Sequence, residues 1–147
     1  TTLIDVATLT GACVVALGDR YTGAFSNSDE LMSKIVQASI LAGENIWRLP
    51  MGDEEYDNLN ASTVADIANC GKKCGATAAA RFLGEFVEKK PWVHLDIAGT
   101  SESDEDTEIY SKGGTGAATE KIRNLIKNSE LPQAKETLPK RDHTLYL

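Results

Sequence analysis

Pro91-Trp92-Val93-His94-Leu95-Asp96-Ile97-Ala98-Gly99-Thr100 is the stretch that decides the fold. A short apolar run that opens at proline and closes at glycine reads as a buried strand. Side chains alternate along it, so Val93, Leu95 and Ile97 share one face and His94, Asp96 and Ala98 the other. Upstream, Ala78, Ala79, Phe82, Leu83, Phe86 and Val87 recur as one helical stripe. Downstream, Thr115-Gly116 opens a second helix with Ile122, Leu125 and Ile126 facing in. A strand set between two helices is the unit from which the rest is read.

Further upstream the same alternation of elements holds. Thr1 to Ala7 is β-branched and apolar and reads as a buried strand. Thr8-Leu9-Thr10-Gly11-Ala12 is the turn after it, and Cys13 to Leu17 is a short helix stopped at Gly18. Tyr21 to Phe25 reads as a strand. Asn27-Ser28-Asp29-Glu30 is a helix start, with a capping side chain and acids in the first turn. Gly43 ends that helix. Ile46 to Pro50 is a strand, Asp53 to Leu59 a short helix, and Ala61 to Gly75 a polar loop. The prediction is an α/β fold, a mixed sheet flanked by helices, over residues 1–128, with a loose tail over 129–147. Two strand-to-glycine turns, at Gly11 and Gly99, are expected side by side on one sheet edge, where they border a pocket.

Composition narrows the function classes. The chain has 147 residues, 41% hydrophobic and 25% charged, with a net charge of −7. That is one domain's length, and a domain near this size hides roughly 70% of its unfolded surface. The negative charge argues against nucleic acid and anionic lipid as partners. No apolar run approaches the ~20 residues of a membrane span. Cys13, Cys70 and Cys74 are odd in number and lack metal-site spacing, which fits a reducing compartment. The chain opens on Thr and enters a strand almost at once, so it is expected to be part of a longer protein.

Local motifs supply no catalytic machinery. Gly71-Lys72-Lys73-Cys74-Gly75-Ala76-Thr77 resembles a phosphate loop, but its last glycine is followed by alanine where Lys-Ser/Thr is required. Thr10-Gly11-Ala12 lacks the G-x-G-x-x-G spacing. No serine sits in a G-x-S-x-G elbow. The acidic run Glu102 to Glu108 lacks the glycine and spacing of a calcium loop and reads as a solvated loop. His94 and Asp96 share a face and would suit either a cation or, more simply, a hydrogen-bonded anchor. Cys13 reads as a small buried apolar residue. Gly11 and Gly99 are open to two readings, room for a ligand or close packing.

The order of these stretches resembles the leucyl (cytosol) aminopeptidase family. The resemblance is carried by Asp5-Val6-Ala7-Thr8-Leu9-Thr10-Gly11-Ala12, Ala16-Leu17-Gly18 and Gly23-Ala24-Phe25-Ser26-Asn27. It continues through Trp47-Arg48-Leu49-Pro50, Ala65 to Gly71, Gly75, Ala78 to Leu83 and Phe86-Val87. It ends on Pro91 to Gly99 and Gly114-Thr115-Gly116. Together these cover roughly residues 2–127 in order.

The resemblance implies a peptidase that removes N-terminal residues, often leucine, from peptide substrates. Members carry two divalent ions, zinc or manganese, and are usually cytoplasmic homohexamers. Their metal ligands are a lysine and several acids, including those of an Asn-Thr-Asp-Ala-Glu-Gly-Arg signature that also supplies a catalytic arginine. A second lysine assists, and all of these precede the stretch matching Asp5 to Ala12. That signature is absent here. The resemblance therefore implies the C-terminal part of a catalytic domain, with no catalytic residue and no metal ligand of its own, partnered by the missing N-terminal part. What it carries over is the substrate side. The Leu9 carbonyl and Gly11 amide would meet the substrate, and Thr8 and Ala98 would line the pocket for its N-terminal side chain. Ser101 would leave that pocket wider or more polar. The alternative is a non-catalytic relative that keeps a structural, oligomeric role.

Overall fold

The computed structural model describes residues 2–52, 59–60, 62–69 and 75–130. The expected helix over 53–59, apart from the fully buried Leu59, lies outside these residues. So do the phosphate-loop-like residues 71–74, Cys70 and Cys74, and the tail after Glu130.

Strand β1 (Leu3–Ala7) runs parallel to β4 (Trp92–Asp96), in the register Leu3 to Trp92 through Ala7 to Asp96. Strand β2 (Thr22–Ser26) pairs antiparallel with the other edge of β4 and parallel with β3 (Ile46–Arg48). The order β1-β4-β2-β3 is the expected mixed sheet, with β4 inside it. Every residue of β4 is buried. Because β1 and β4 are parallel, their C-terminal ends finish on the same edge, where crevices of α/β sheets form.

The alternation read along β4 holds. Val93 and Leu95 join Ala24, Leu31, Met32, Ile35 and Ala118 in one core, with Ile122 and Leu125 packed against it. That face is covered by α2 (Asp29–Ala42) and α4 (Thr119–Glu130). The second core holds Phe25, Cys13, Ala76 and Ala80, between the sheet and the helices α1 (Gly11–Leu17) and α3 (Gly75–Gly84). His94 stacks on Phe25 at 6.0 Å on that side. The capping signals also hold. Ser28 accepts from the Leu31 amide, and Gly43 closes α2 in the left-handed region at φ 68°.

Four expectations change. β1 is an edge strand rather than a buried one: Leu3 and Val6 are each 37% exposed, since β1 pairs on one side only among the described residues. Helix α3 ends at Gly84, and Glu88 and Lys89 follow with positive φ. The chain leaves helical geometry there, so Phe86 is 64% exposed while Ala76, Thr77, Ala78 and Ala80 form the buried side. Helix α4 begins at Thr119 rather than at Thr115-Gly116, and Ile126 is half exposed. The acidic loop is not wholly irregular, because β5 (Glu102–Ser103) and β6 (Gly113–Gly114) pair across its base.

Candidate functional site

Asp96 ends β4 and is only 1% exposed. A buried carboxylate must be hydrogen-bonded to offset its lost hydration. Its Oδ1 accepts from the Leu9 amide at 3.1 Å and from the Ala98 amide at 3.1 Å. Its Oδ2 accepts from the Thr10 hydroxyl at 2.7 Å. One side chain thus joins the turn after β1 to the turn after β4. The parallel register, with Ala7 opposite Asp96, makes this reach possible.

Thr10 is the N-cap of α1, and its Oγ1 accepts from the Cys13 amide at 3.0 Å. Its backbone is extended, φ −139° and ψ 135°. In an extended residue the preceding carbonyl and the following amide point to the same side, as across an antiparallel ladder. The Leu9 carbonyl and the Gly11 N–H are those two groups. They form an acceptor and a donor that point to one side of the turn.

The four sequence-predicted residues fall around this turn. Thr8 and Gly11 are exposed, and Leu9 and Ala98 are half buried. A Cβ on Gly11 would meet nothing within 4 Å, so packing does not demand glycine there. A Cβ on Gly99 would lie 2.1 Å from the Gly18 carbonyl oxygen, so close packing does demand glycine there. Ala98 and Ser101 line a broad cleft with Val14, Thr22 and Glu44. Thr8, Leu9 and Gly11 lie outside that cleft's lining. Asp96 therefore links the two turns, while the cleft opens on the Ala98 side alone.

Among the described residues, His94 and Asp96 share no side-chain hydrogen-bond partner. His94 Nδ1 lies 2.5 Å from Asp5 Oδ1, and the Trp92 indole donates to Asp5 Oδ2 at 2.5 Å. His94 is the hydrogen-bonded anchor of β4 on β1. Cys13 is 1% exposed, with a Cβ on Gly23 falling 2.6 Å from its sulfur. Burial, with the Asp96 charge behind it, pushes the Cys13 thiol up to about 11, so it stays protonated and inert.

Two features escaped the sequence reading. One is the organising role of Asp96, two of whose three donors, Leu9 and Thr10, lie on a turn remote in sequence. The other is Lys121, fully buried with Nζ 3.5 Å from Glu44 Oε2. Glu44 also accepts from the Ala118 amide at 2.6 Å and the Lys121 amide at 3.3 Å. Burial lowers the Lys121 pKa, and Glu44 opposes that shift. No local pattern separates Lys121 from a solvated helix lysine, because its partner is remote in sequence. Among the described residues, no three His, Cys, Asp or Glu side chains gather into a group able to hold a metal ion.

The profile of the cytosol aminopeptidase family, catalytic domain, matches residues 1–123. The chain belongs to that family. A probable cytosol aminopeptidase of Picosynechococcus sp. is 50% identical over 125 residues, which is 84% of this chain and 25% of that protein. One from Alkaliphilus metalliredigens is 48% identical over 131 residues, 88% of this chain and 26% of that protein. The chain thus spans about a quarter of the relatives it matches. Among solved structures, a tomato leucine aminopeptidase mutant is similar with a TM-score of 0.78 and 41% identity. That match covers 85% of this chain and 24% of the tomato chain. The bottromycin maturation enzyme BotP matches with a TM-score of 0.82 and 40% identity, over 87% of this chain and 29% of BotP. A complex of BotP with Mn is equally similar, at a TM-score of 0.81. The family match agrees with the α/β fold and the resemblance read from the sequence. Among the described residues no helix is long and apolar enough to cross a membrane.

Proposed function

We propose that this chain supplies the substrate-binding turns of a metal-dependent leucyl aminopeptidase, which hydrolyses N-terminal residues from peptides. The observation that carries the reading is the Asp96 carboxylate binding Leu9, Thr10 and Ala98 at once, in a chain of this family. The Leu9 carbonyl accepts from a substrate N–H, and the Gly11 amide donates to a substrate carbonyl. Thr8 and Ala98 border the N-terminal side chain from the two turns, Ala98 within the cleft and Thr8 outside its lining. A small residue at position 98 and a bare backbone at Gly11 leave the room an apolar side chain needs.

The catalytic groups and the ligands of two divalent ions, zinc or manganese, are assigned to polypeptide N-terminal to this segment. The BotP complex with Mn supports manganese in a relative. The complete protein is read as a cytoplasmic homohexamer whose partners are peptides and its own N-terminal part.

The test joins residues 1–128 behind the preceding part of the Picosynechococcus relative. The fusion, with manganese supplied, is expected to hydrolyse leucine amide, and the 147-residue chain alone is expected to be inactive. A folded fusion without activity, or an active isolated chain, overturns the reading.

A further inference from the structure

We propose that Asp96 is the positioning residue of the substrate surface, acting through Thr10 and through the amides of Leu9 and Ala98. This rests on the reading of Leu9, Gly11 and Ala98 as substrate-facing, and it adds the group that makes them one surface. The Leu9 carbonyl and the Gly11 amide belong to the two peptide groups that flank the Thr10 Cα. Their relative direction is therefore set by the Thr10 backbone, extended at φ −139° and ψ 135°. The Thr10 hydroxyl has one proton, which it gives to Asp96 Oδ2 at 2.7 Å. Its lone pairs are then free for the Cys13 amide at 3.0 Å. That sequence of bonds runs in one direction only, because a carboxylate accepts and never donates.

Meanwhile Oδ1 accepts from Leu9 and Ala98, one from each turn, at the same 3.1 Å. All three donors come from the two turns proposed to meet the substrate. Hydrogen bonds to a charged acceptor are stronger than neutral ones, and the shortest of the three is the Thr10 bond at 2.7 Å. Asp96 thus fixes two distances at once: between Leu9 and Gly11 within one turn, and between that turn and the Ala98 wall.

Asn at position 96 can still accept from Leu9 and Ala98 through its oxygen. Its NH2 then faces the Thr10 hydroxyl, which must turn its proton away. Val at position 10 removes the hydroxyl altogether, and Ser restores it. In the fusion described above, Asp96→Asn and Thr10→Val are expected to raise KM for a leucyl dipeptide about 10-fold with kcat little changed, the pattern of lost binding rather than lost chemistry. Thr10→Ser is expected to return KM to within about 3-fold of the parent.

Amide hydrogen exchange supplies a readout independent of activity. In Asp96→Asn, whose neutral oxygen holds them less tightly than a carboxylate, the Leu9 and Ala98 amides are expected to exchange faster together. An active parent whose Asp96→Asn and Thr10→Val variants keep the parental KM overturns the positioning role alone. So does faster exchange at only one of the two turns. A folded but inactive parent overturns the underlying substrate reading instead. If Asp96→Asn does not fold, the Thr10→Val and Thr10→Ser pair still decides, since it leaves the carboxylate in place.

Discussion

At the scale of single residues, the two glycines that the sequence left alike are separated by what surrounds them. Gly99→Ala would drive a methyl to 2.1 Å from the Gly18 carbonyl oxygen, and backbone lies on both sides of that contact. It is expected to destabilise the fold by about 1–3 kcal/mol, the usual penalty of overpacking. Gly11→Ala meets open space at the first position of α1 and removes a glycine from a helix. It is expected to leave the unfolding free energy unchanged or raise it by up to about 1 kcal/mol. The same variant should bind a leucyl peptide more weakly if the Gly11 amide meets substrate. Urea melts and KM measured on both variants check the pair.

Two titrating residues pull stability in opposite directions at alkaline pH. The folded pKa of Cys13 is raised from 9.0 to about 11, so the folded protein keeps a proton that the unfolded chain loses. Stability from this group is full below about pH 9 and falls as pH rises towards 11. The folded pKa of Lys121 is lowered from 10.5, so the folded protein gives up its proton first and stability rises with pH in the window below 10.5. Cys13→Ala is expected to remove the falling limb between pH 9 and 11 and leave the Lys121 contribution. Melting curves of parent and variant across that range would show otherwise if their pH slopes were the same.

At the scale of elements, helix ends are where sequence speaks most plainly. Ser28 and Gly43 bracket α2 as expected, and Ser28→Ala should cost about 1 kcal/mol. The less obvious joint lies just past that helix. Glu44 accepts from the Ala118 and Lys121 amides at the start of α4 and pairs with the buried Lys121 ammonium. It docks α4 to the end of α2, which also pack along their lengths over β4. Glu44→Ala leaves a buried cation unpaired and is expected to cost about 3–5 kcal/mol. Lys121→Met keeps the stem's packing and removes the charge, so it should cost far less. Equal losses in chemical denaturation would show that the pair is not what holds α4.

At the scale of the whole molecule, the sheet has one finished interior and an unfinished side. β4 is buried throughout, while β1 offers Leu3 and Val6, each 37% exposed, on a strand paired along one edge among the described residues. Exposed strand edges invite pairing with another chain. The isolated chain is expected to self-associate at micromolar concentration, and Val6→Lys to reduce this by placing a charge on the edge. Sedimentation showing a stable monomer for the parent chain would remove the argument.

The sequence by itself determined the element order, the faces of β4, the C-terminal end of α1, both ends of α2, and the family. These are local or periodic properties: spacing decides which face is apolar, and a serine or a glycine decides where a helix begins or stops. Even the inward faces of Ile122 and Leu125 followed from spacing alone. Only the tertiary structure decided what depends on pairing across long stretches of chain. It made β1 an edge, because strand order is not written in any one strand. It carried Phe86 out of the core, because the chain turns after Gly84. It separated Gly11 from Gly99, because only the neighbours of each tell room from tight packing. It put Asp96 between the two turns, because its donors on Leu9 and Thr10 arrive from a turn more than eighty residues away. An aspartate on a strand predicts a hydrogen bond; which turns it ties together is settled by register, once β1 and β4 lie parallel and end side by side.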